Sequence, residues 1–185
     1  MTIERPASSI VGLKRLAFAV CTNVGCANVK PTYGPIHICD GLVKANPEAE
    51  EEPEARFLGN KRWRYMPSDI TIEKTGLTPE FQKLMLGQTL VNGVLEKRQS
   101  DEPPIIALLW ETEQANKKRV RWLLPMVKIQ SAEPDKLATR SDSVEFQHFM
   151  LSGIYWHTLN GVKYRKAYEE LNSRQFADWF KTVQI

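Results

Sequence analysis

The sequence predicts a mainly β fold of the α+β class, with about eight strands and two short helices, and three observations predict it. Apolar residues recur at every second position in several short stretches, the pattern of a strand buried on one face. Turn-forming pairs and prolines separate those stretches at short intervals. Only two stretches combine helix punctuation with an apolar face at helical spacing, and both are brief.

The first strand is expected where Lys14, Leu16, Phe18 and Val20 alternate with smaller residues, after a flexible start over 1–10. Gly25, Pro31, Gly34 and Pro35 then break regular structure, and Ile36 and Ile38 open a second strand ending near Val43. From Glu48 to Glu54 an acidic stretch has no apolar face and reads as a solvent-facing loop. Arg62, Trp63, Arg64 and Tyr65 interleave cations with aromatics, and Ile70 and Ile72 alternate with polar neighbours as a half-buried strand does. The whole forms a long hairpin or loop arm over about 44–68.

Thr78 as N-cap, Pro79 at the first helical position and Gly87 at the C-terminus delimit a helix over about 78–87, with Phe81, Leu84 and Met85 on its buried face. Asn92-Gly93 is a turn signal, and the run Ile105 to Trp110 has the length of a strand buried on both faces. A second run, Val120 to Val127, pairs with it most simply as an antiparallel hairpin across Asn116, Lys117 and Lys118. Val144, Phe146, His148 and Met150 mark a further strand. Asn160-Gly161, between Ile154-Tyr155-Trp156 and Val162-Lys163-Tyr164, predicts a final hairpin, because its favoured turn needs positive φ at both central residues. Ser173 as N-cap, with Phe176, Trp179 and Phe180 at helical spacing, predicts a short C-terminal helix reaching Lys181.

A chain of 185 residues is the length of one well-buried domain, expected here over 11–185. The 25 basic and 22 acidic residues leave a net charge of +3, too close to balance to drive non-specific nucleic-acid binding. No apolar run approaches the roughly 18 residues of a membrane helix, and Glu4, Arg5 and Pro6 interrupt any signal-peptide pattern, so synthesis in the cytoplasm is expected. Three cysteines make an odd count, and reduced thiols are the default.

No phosphate-binding glycine loop, nucleophile elbow, kinase signature or paired-histidine zinc helix occurs in the chain, and none of His37, His148 and His157 stands in a known nucleophile context. No catalytic, cofactor-binding or metal-binding residue is therefore assigned. Cys21, Cys26, His37 and Cys39 form a ligand set that zinc would accept, but their spacing departs from the usual gaps, and three ordinary thiols with a surface histidine are the preferred reading. Lys61, Arg62 and Arg64, with Lys117, Lys118, Arg119 and Arg121, would contact nucleic acid if they met on one face. The preferred reading is solvated hairpin ends, with Glu111 and Glu113 close enough to pair across the second hairpin. Trp63, flanked by arginines, is the candidate interface anchor.

The order of these motifs, from about Val11 to about Tyr168, resembles the major tail tube proteins of long-tailed phages with non-contractile tails. Val11-Gly12-Leu13-Lys14 before an aromatic strand is similar to the family's start, and Pro31-Thr32-Tyr33-Gly34 to its next turn. The most specific block is Ile70-Thr71-Ile72, the helix Thr78 to Leu86, and Leu86-Gly87-Gln88 through Val91-Asn92-Gly93-Val94. Pro104 to Leu109, Arg121-Trp122-Leu123-Leu124-Pro125 and Val144-Glu145-Phe146-Gln147 resemble the paired strands and a later core strand. The cysteines, the acidic stretch and the terminal helix depart from the pattern.

The resemblance implies an antiparallel β-sandwich or barrel with a helix packed at its side, and a structural, non-enzymatic subunit of the virion tail. Subunits would join into hexameric rings, and rings would stack into a tube through which DNA passes without sequence-specific binding. The implied partners are further copies of the chain, a tape measure protein, and tail-tip and tail-terminator proteins, with no cofactor and no membrane. A ring needs heterologous contacts, strand edges would be satisfied by the next subunit, and the acidic loop would reach between rings. A tail-terminator or head–tail joining protein is the nearest alternative, and a small zinc- or nucleic-acid-binding β-barrel a more distant one.

Overall fold

A computed structural model describes residues 10–26, 29–39, 42–47, 67–134, 148–171 and 173–185. Among them lie eleven strands and two helices, so the chain is mainly β with the two helices expected and more strands than the sequence suggests, several of them only two to four residues long. Strand β1 (Ile10–Asn23) is the first. Ile10 belongs to this strand rather than to the expected flexible start, whose residues 1–9 lie outside the described residues. Leu16, Ala17, Phe18 and Ala19 are all buried, which means that both faces of β1 are covered. Arg15 takes a φ of 51° where the register with the strand Ile106–Gln114 shifts, a bulge that bends the strand.

Strands β2 (Thr32–Tyr33) and β3 (His37–Cys39) pair with one edge of β1. The strand expected up to Val43 is divided: β3 pairs with β1, whereas β4 (Leu42–Pro47) pairs with β5 (Ser68–Lys74). The register of β4 on β5, from Leu42 opposite Lys74 to Pro47 opposite Ile70, makes the two strands the base of a hairpin. Residues 44–47 and Ser68 of the expected arm are therefore sheet, and 48–66 lie outside the described residues.

Helix α1 (Pro79–Leu86) is capped as its sequence requires, with the Thr78 hydroxyl accepting the Phe81 amide at 3.2 Å and Gly87 left-handed at φ 69°. It buries Phe81, Met85 and Leu86. Replacing Thr78 with alanine orphans that amide, and a loss of about 1 kcal/mol in urea denaturation is the expected result. Strands β6 (Thr89–Val91) and β7 (Val94–Glu96) follow as a separate two-stranded ribbon. Its Asn92-Gly93 turn has φ of 50° and 80°, the double positive φ of a tight hairpin.

Strand β8 (Ile106–Gln114) is buried continuously from Ile106 to Thr112, as its apolar run predicts, and pairs antiparallel with β9 (Arg119–Pro134). Strand β10 (Phe149–Trp156) and then β11 (Arg165–Tyr168) follow β9 along one edge. The hairpin expected at Asn160-Gly161 is not formed, because Trp156 sits opposite Met126 and Arg165 opposite Leu123 on the same partner. Residues 157–164 are an excursion between two pieces of one strand line. Its turn is closed instead by Thr158, whose hydroxyl accepts the Val162 amide at 2.9 Å and whose carbonyl accepts the Gly161 amide at 2.8 Å. Gly161 alone has positive φ there, so the double positive φ that a tight hairpin needs is absent. The strand expected from Val144 begins at Phe149 among the described residues, with 144–147 outside them.

The sheet path β1-β8-β9-β10-β5-β4 bends back towards β1, since β3 pairs with β1 and β4 packs beside it. The resulting layer is barrel-like. Its inner face holds Leu16, Phe18, Ile70, Ile72, Leu108, Trp110, Leu124, Ile129 and Leu151, sealed by Phe81 and Met85 of α1. Burying each such side chain contributes about 1.5–3 kcal/mol, which is the main force holding the layer closed.

The outer face of β1, β8, β9 and β11 is lined by Ala17, Ala107, Leu109, Leu123 and Ala167, and the small alanines let the chain end approach closely. Helix α2 (Ser173–Asp178) covers it with Phe176, followed by Trp179 and Phe180. The helix begins at Ser173 itself and is shorter than expected, its last residues continuing as turns through the Lys181 amide to the Asp178 carbonyl. Arg121 anchors this segment: its guanidinium lies 3.9 Å from the Phe176 ring centroid and 4.8 Å from that of Phe180, and donates to the Phe176 carbonyl. Glu111 pairs with it at 2.7 Å, both side chains being buried.

Candidate functional site

The four candidate zinc ligands are dispersed by the sheet. Cys39 is buried in the inner core opposite Leu16, whereas His37 stacks on Phe18 at 5.2 Å between ring centroids and is half-buried rather than a surface residue. Cys26 is exposed in a small turn, and Cys21 is half-buried opposite Tyr33. Burial pushes the Cys21 thiol up, away from the thiolate that a metal needs. Among the described residues no three His, Cys, Asp or Glu side chains are placed to share a metal ion.

Of the two basic clusters only the second falls among the described residues. Lys61, Arg62 and Arg64, and the candidate anchor Trp63, lie outside the described residues. Lys117 and Lys118 are exposed at the β8–β9 turn, where Lys117 has a φ of 61°. Arg121 is spent on Glu111, and Arg119 donates to Glu169 at 2.7 Å while its guanidinium lies 5.2 Å from the Phe176 ring centroid. Hydrogen bonding from Arg119 holds the Glu169 carboxyl below its usual range. Pairing across the hairpin is realised for Glu111 with Arg121, whereas Glu113 turns to Lys14.

Two surfaces stand out instead. The first is the β6–β7 ribbon, whose strands pair only with each other among the described residues and whose Val91 and Val94 are 52% and 59% exposed at its tip. Adjacent open edges with apolar side chains are a template for another chain.

The second is an aromatic and cationic patch where the inner face meets solvent beside β10 and β11. Trp110 and Trp122 stack at 5.5 Å with 10° between their planes, and Tyr164 leans on Trp122 at 6.4 Å. The Lys166 ammonium lies 3.7 Å from the Trp122 ring centroid and 5.0 Å from that of Tyr164. Lys163 lies 5.5 Å from the Tyr155 centroid, and burial pushes the Tyr155 hydroxyl pKa up against the opposing hydrogen bond with Ser68. Burial pushes the Lys166 pKa down.

Sequence reasoning missed this patch. The signal is there in Lys163-Tyr164-Arg165-Lys166, the same interleaving of cations and aromatics seen at Arg62 to Tyr65, but its first half reads as part of the expected hairpin strand Val162-Lys163-Tyr164. Only the excursion of 157–164 brings Tyr164 over a tryptophan of another strand.

No helix among the described residues is long and apolar enough to cross a membrane. No protein-family model matches the chain, and no curated protein matches it.

Proposed function

We propose that this chain is a structural subunit of a phage tail tube, working by assembly rather than by chemistry at a site. In this reading, hexameric rings stack into a channel for DNA ejection, together with a tape measure protein and tail-tip and tail-terminator proteins, in the tail of the virion. The observation that carries the reading is the separate β6–β7 ribbon, whose strands pair only with each other among the described residues and expose Val91 and Val94, beside a helix-sealed, barrel-like sheet. A sheet that buries its own core while leaving such a ribbon open offers edges on which a neighbour can continue the hydrogen bonding, which supports the reading. The motif order from Val11 to Tyr168 supports the same reading.

The test is negative-stain electron microscopy of the purified protein over a concentration series, with light scattering to record mass. Rings and hollow tubes are expected, and replacing Val91 and Val94 with lysine should remove them while the circular dichroism spectrum is unchanged. Rings that never stack would favour the tail-terminator or head–tail joining alternative. A strict monomer at every concentration, with a tail-tip initiator present, would overturn the assembly reading.

A further inference from the structure

We propose that Asn92 is a site of spontaneous covalent modification, at which the Gly93 backbone nitrogen attacks the side-chain amide and leaves aspartate or isoaspartate, while Thr158 holds the same dipeptide inert at Asn160-Gly161. The chemistry stands apart from the tube reading; its effect on assembly rests on it.

The two stretches are chemically almost the same. Val91-Asn92-Gly93-Val94 and Leu159-Asn160-Gly161-Val162 differ only in which aliphatic residue precedes the asparagine. Glycine after asparagine leaves the attacking nitrogen unshielded, because it carries no side chain. Both asparagines and both glycines are exposed, so access to water does not separate them either.

Hydrogen bonding does separate them. The Gly161 amide donates to the Thr158 carbonyl at 2.8 Å, and the Asn160 side-chain oxygen accepts from the Thr158 hydroxyl. Thr158 is itself only 2% exposed, and its hydroxyl accepts the Val162 amide at 2.9 Å. Both the nucleophile and the group it would attack are thus tied to one buried residue. At the ribbon tip neither is held: among the described residues the Gly93 amide and the Asn92 side chain have no hydrogen-bond partner.

The Gly93 nitrogen reaches the Asn92 side chain only when the turn, with its φ of 50° and 80°, opens. The ribbon makes opening easy. Its strands have three residues each, pair only with each other among the described residues, and meet at the tip through Val91 and Val94, which are mostly exposed. A two-stranded hairpin that buries so little is marginally stable in water.

In the open turn the Gly93 nitrogen gives its proton to hydroxide and forms a bond to Cγ of Asn92. The bond from Cγ to the side-chain nitrogen breaks, and ammonia leaves with a proton taken from water. Water then adds to a carbonyl carbon of the resulting five-membered imide and breaks that carbon's bond to the Gly93 nitrogen, at Cγ to give aspartate or at the main-chain carbonyl to give isoaspartate. The net change consumes a water and releases an ammonia, with nothing oxidised or reduced. Isoaspartate carries the main chain through Cβ, and either product puts a carboxylate at an apolar tip. The lengthened turn no longer fits the two-residue connection that sets Val91 opposite Val94.

The experiment is ageing of the full-length protein at mildly alkaline pH in heavy-oxygen water, with tryptic peptides read by mass spectrometry. Asn92 should convert at least about tenfold faster than Asn160 and take up one heavy oxygen. In urea the two should convert within about twofold of each other, because only local sequence then distinguishes them. Equal rates in the native protein, a slower Asn92, or an Asn92 that converts only in urea would overturn the proposal.

Thr158→Ala should raise the Asn160 rate at least about tenfold, with Asn92 in the same sample reporting whether the fold is intact, and Thr158→Ser should keep it low. An Asn160 that stays slow in folded Thr158→Ala would overturn the role given to Thr158. The comparison of native with urea-treated wild type needs neither variant. When aged protein is assembled, the isoaspartyl form should be depleted at least about tenfold from sedimented tubes relative to the supernatant. An equal share in both would overturn the ribbon's part in assembly and keep the modification. Conversion of Asn92 in a protein that forms no tubes would keep the site and remove the tube reading.

Discussion

Replacing Arg121 with alanine is expected to destabilise the protein by about 3–5 kcal/mol, among the largest effects that a single charged residue here can have. The side chains of Arg121 and Glu111 are only 7% and 5% exposed, so removing the guanidinium leaves a carboxylate with little water to replace it. The same change removes the cation held between Phe176 and Phe180 and the donor to the Phe176 carbonyl, which loosens α2 from the sheet. Lysine should not rescue it, because a point charge cannot lie flat between two rings while pairing with Glu111. Urea denaturation of Arg121→Ala, Glu111→Ala and the double variant checks this. The double variant should cost less than the sum of the two, since the penalty of each single change is mostly the orphaned partner. A loss below about 1 kcal/mol for Arg121→Ala would mean that the pair behaves as a solvated surface bridge.

Replacing Trp179 with alanine is expected to cost a similar amount, about 3–5 kcal/mol, for a different reason. Trp179 is 2% exposed, lies against the outer face with Leu109, Leu123 and Ala167, and donates its indole N–H to the Trp122 carbonyl at 3.3 Å. Alanine leaves a cavity the size of an indole between the sheet face and the chain end, which the surrounding side chains can close only in part. Phenylalanine should recover part of the loss by restoring ring volume without the donor. Thermal denaturation followed by near-ultraviolet circular dichroism reads both effects. An early loss of signal in Trp179→Ala, before the far-ultraviolet transition, would show that the C-terminal segment opens as a separate unit.

Much of the fold was legible in the residues because it depended on short-range chemistry. Thr78, Pro79 and Gly87 bound α1 through contacts within one helical turn, and the apolar run from Ile106 announced a strand buried on both faces. The candidate surfaces were less legible. Asn92-Gly93 and Asn160-Gly161 are the same dipeptide, yet one closes a hairpin and the other sits in an excursion between β10 and β11. The difference lies in β9, whose 16 residues are long enough to pair with both flanking pieces in turn.

Local sequence by itself determined the class of the chain, the helix and its caps, the β8–β9 hairpin and the opposition of Glu111 to Arg121, because each follows from neighbours along the chain or across one tight turn. Only the tertiary structure decided that the sheet curls back on β1, that Arg121 is claimed by two aromatic rings from the chain end, and that Lys163 and Lys166 are left facing rings. Those outcomes depend on which strand lies beside which, and side chains more than forty residues apart, such as Trp122 and Tyr164, meet only after every intervening strand has found its partner. Periodicity tells which side of a strand is apolar, but the identity of what covers that side is a property of the assembled sheet.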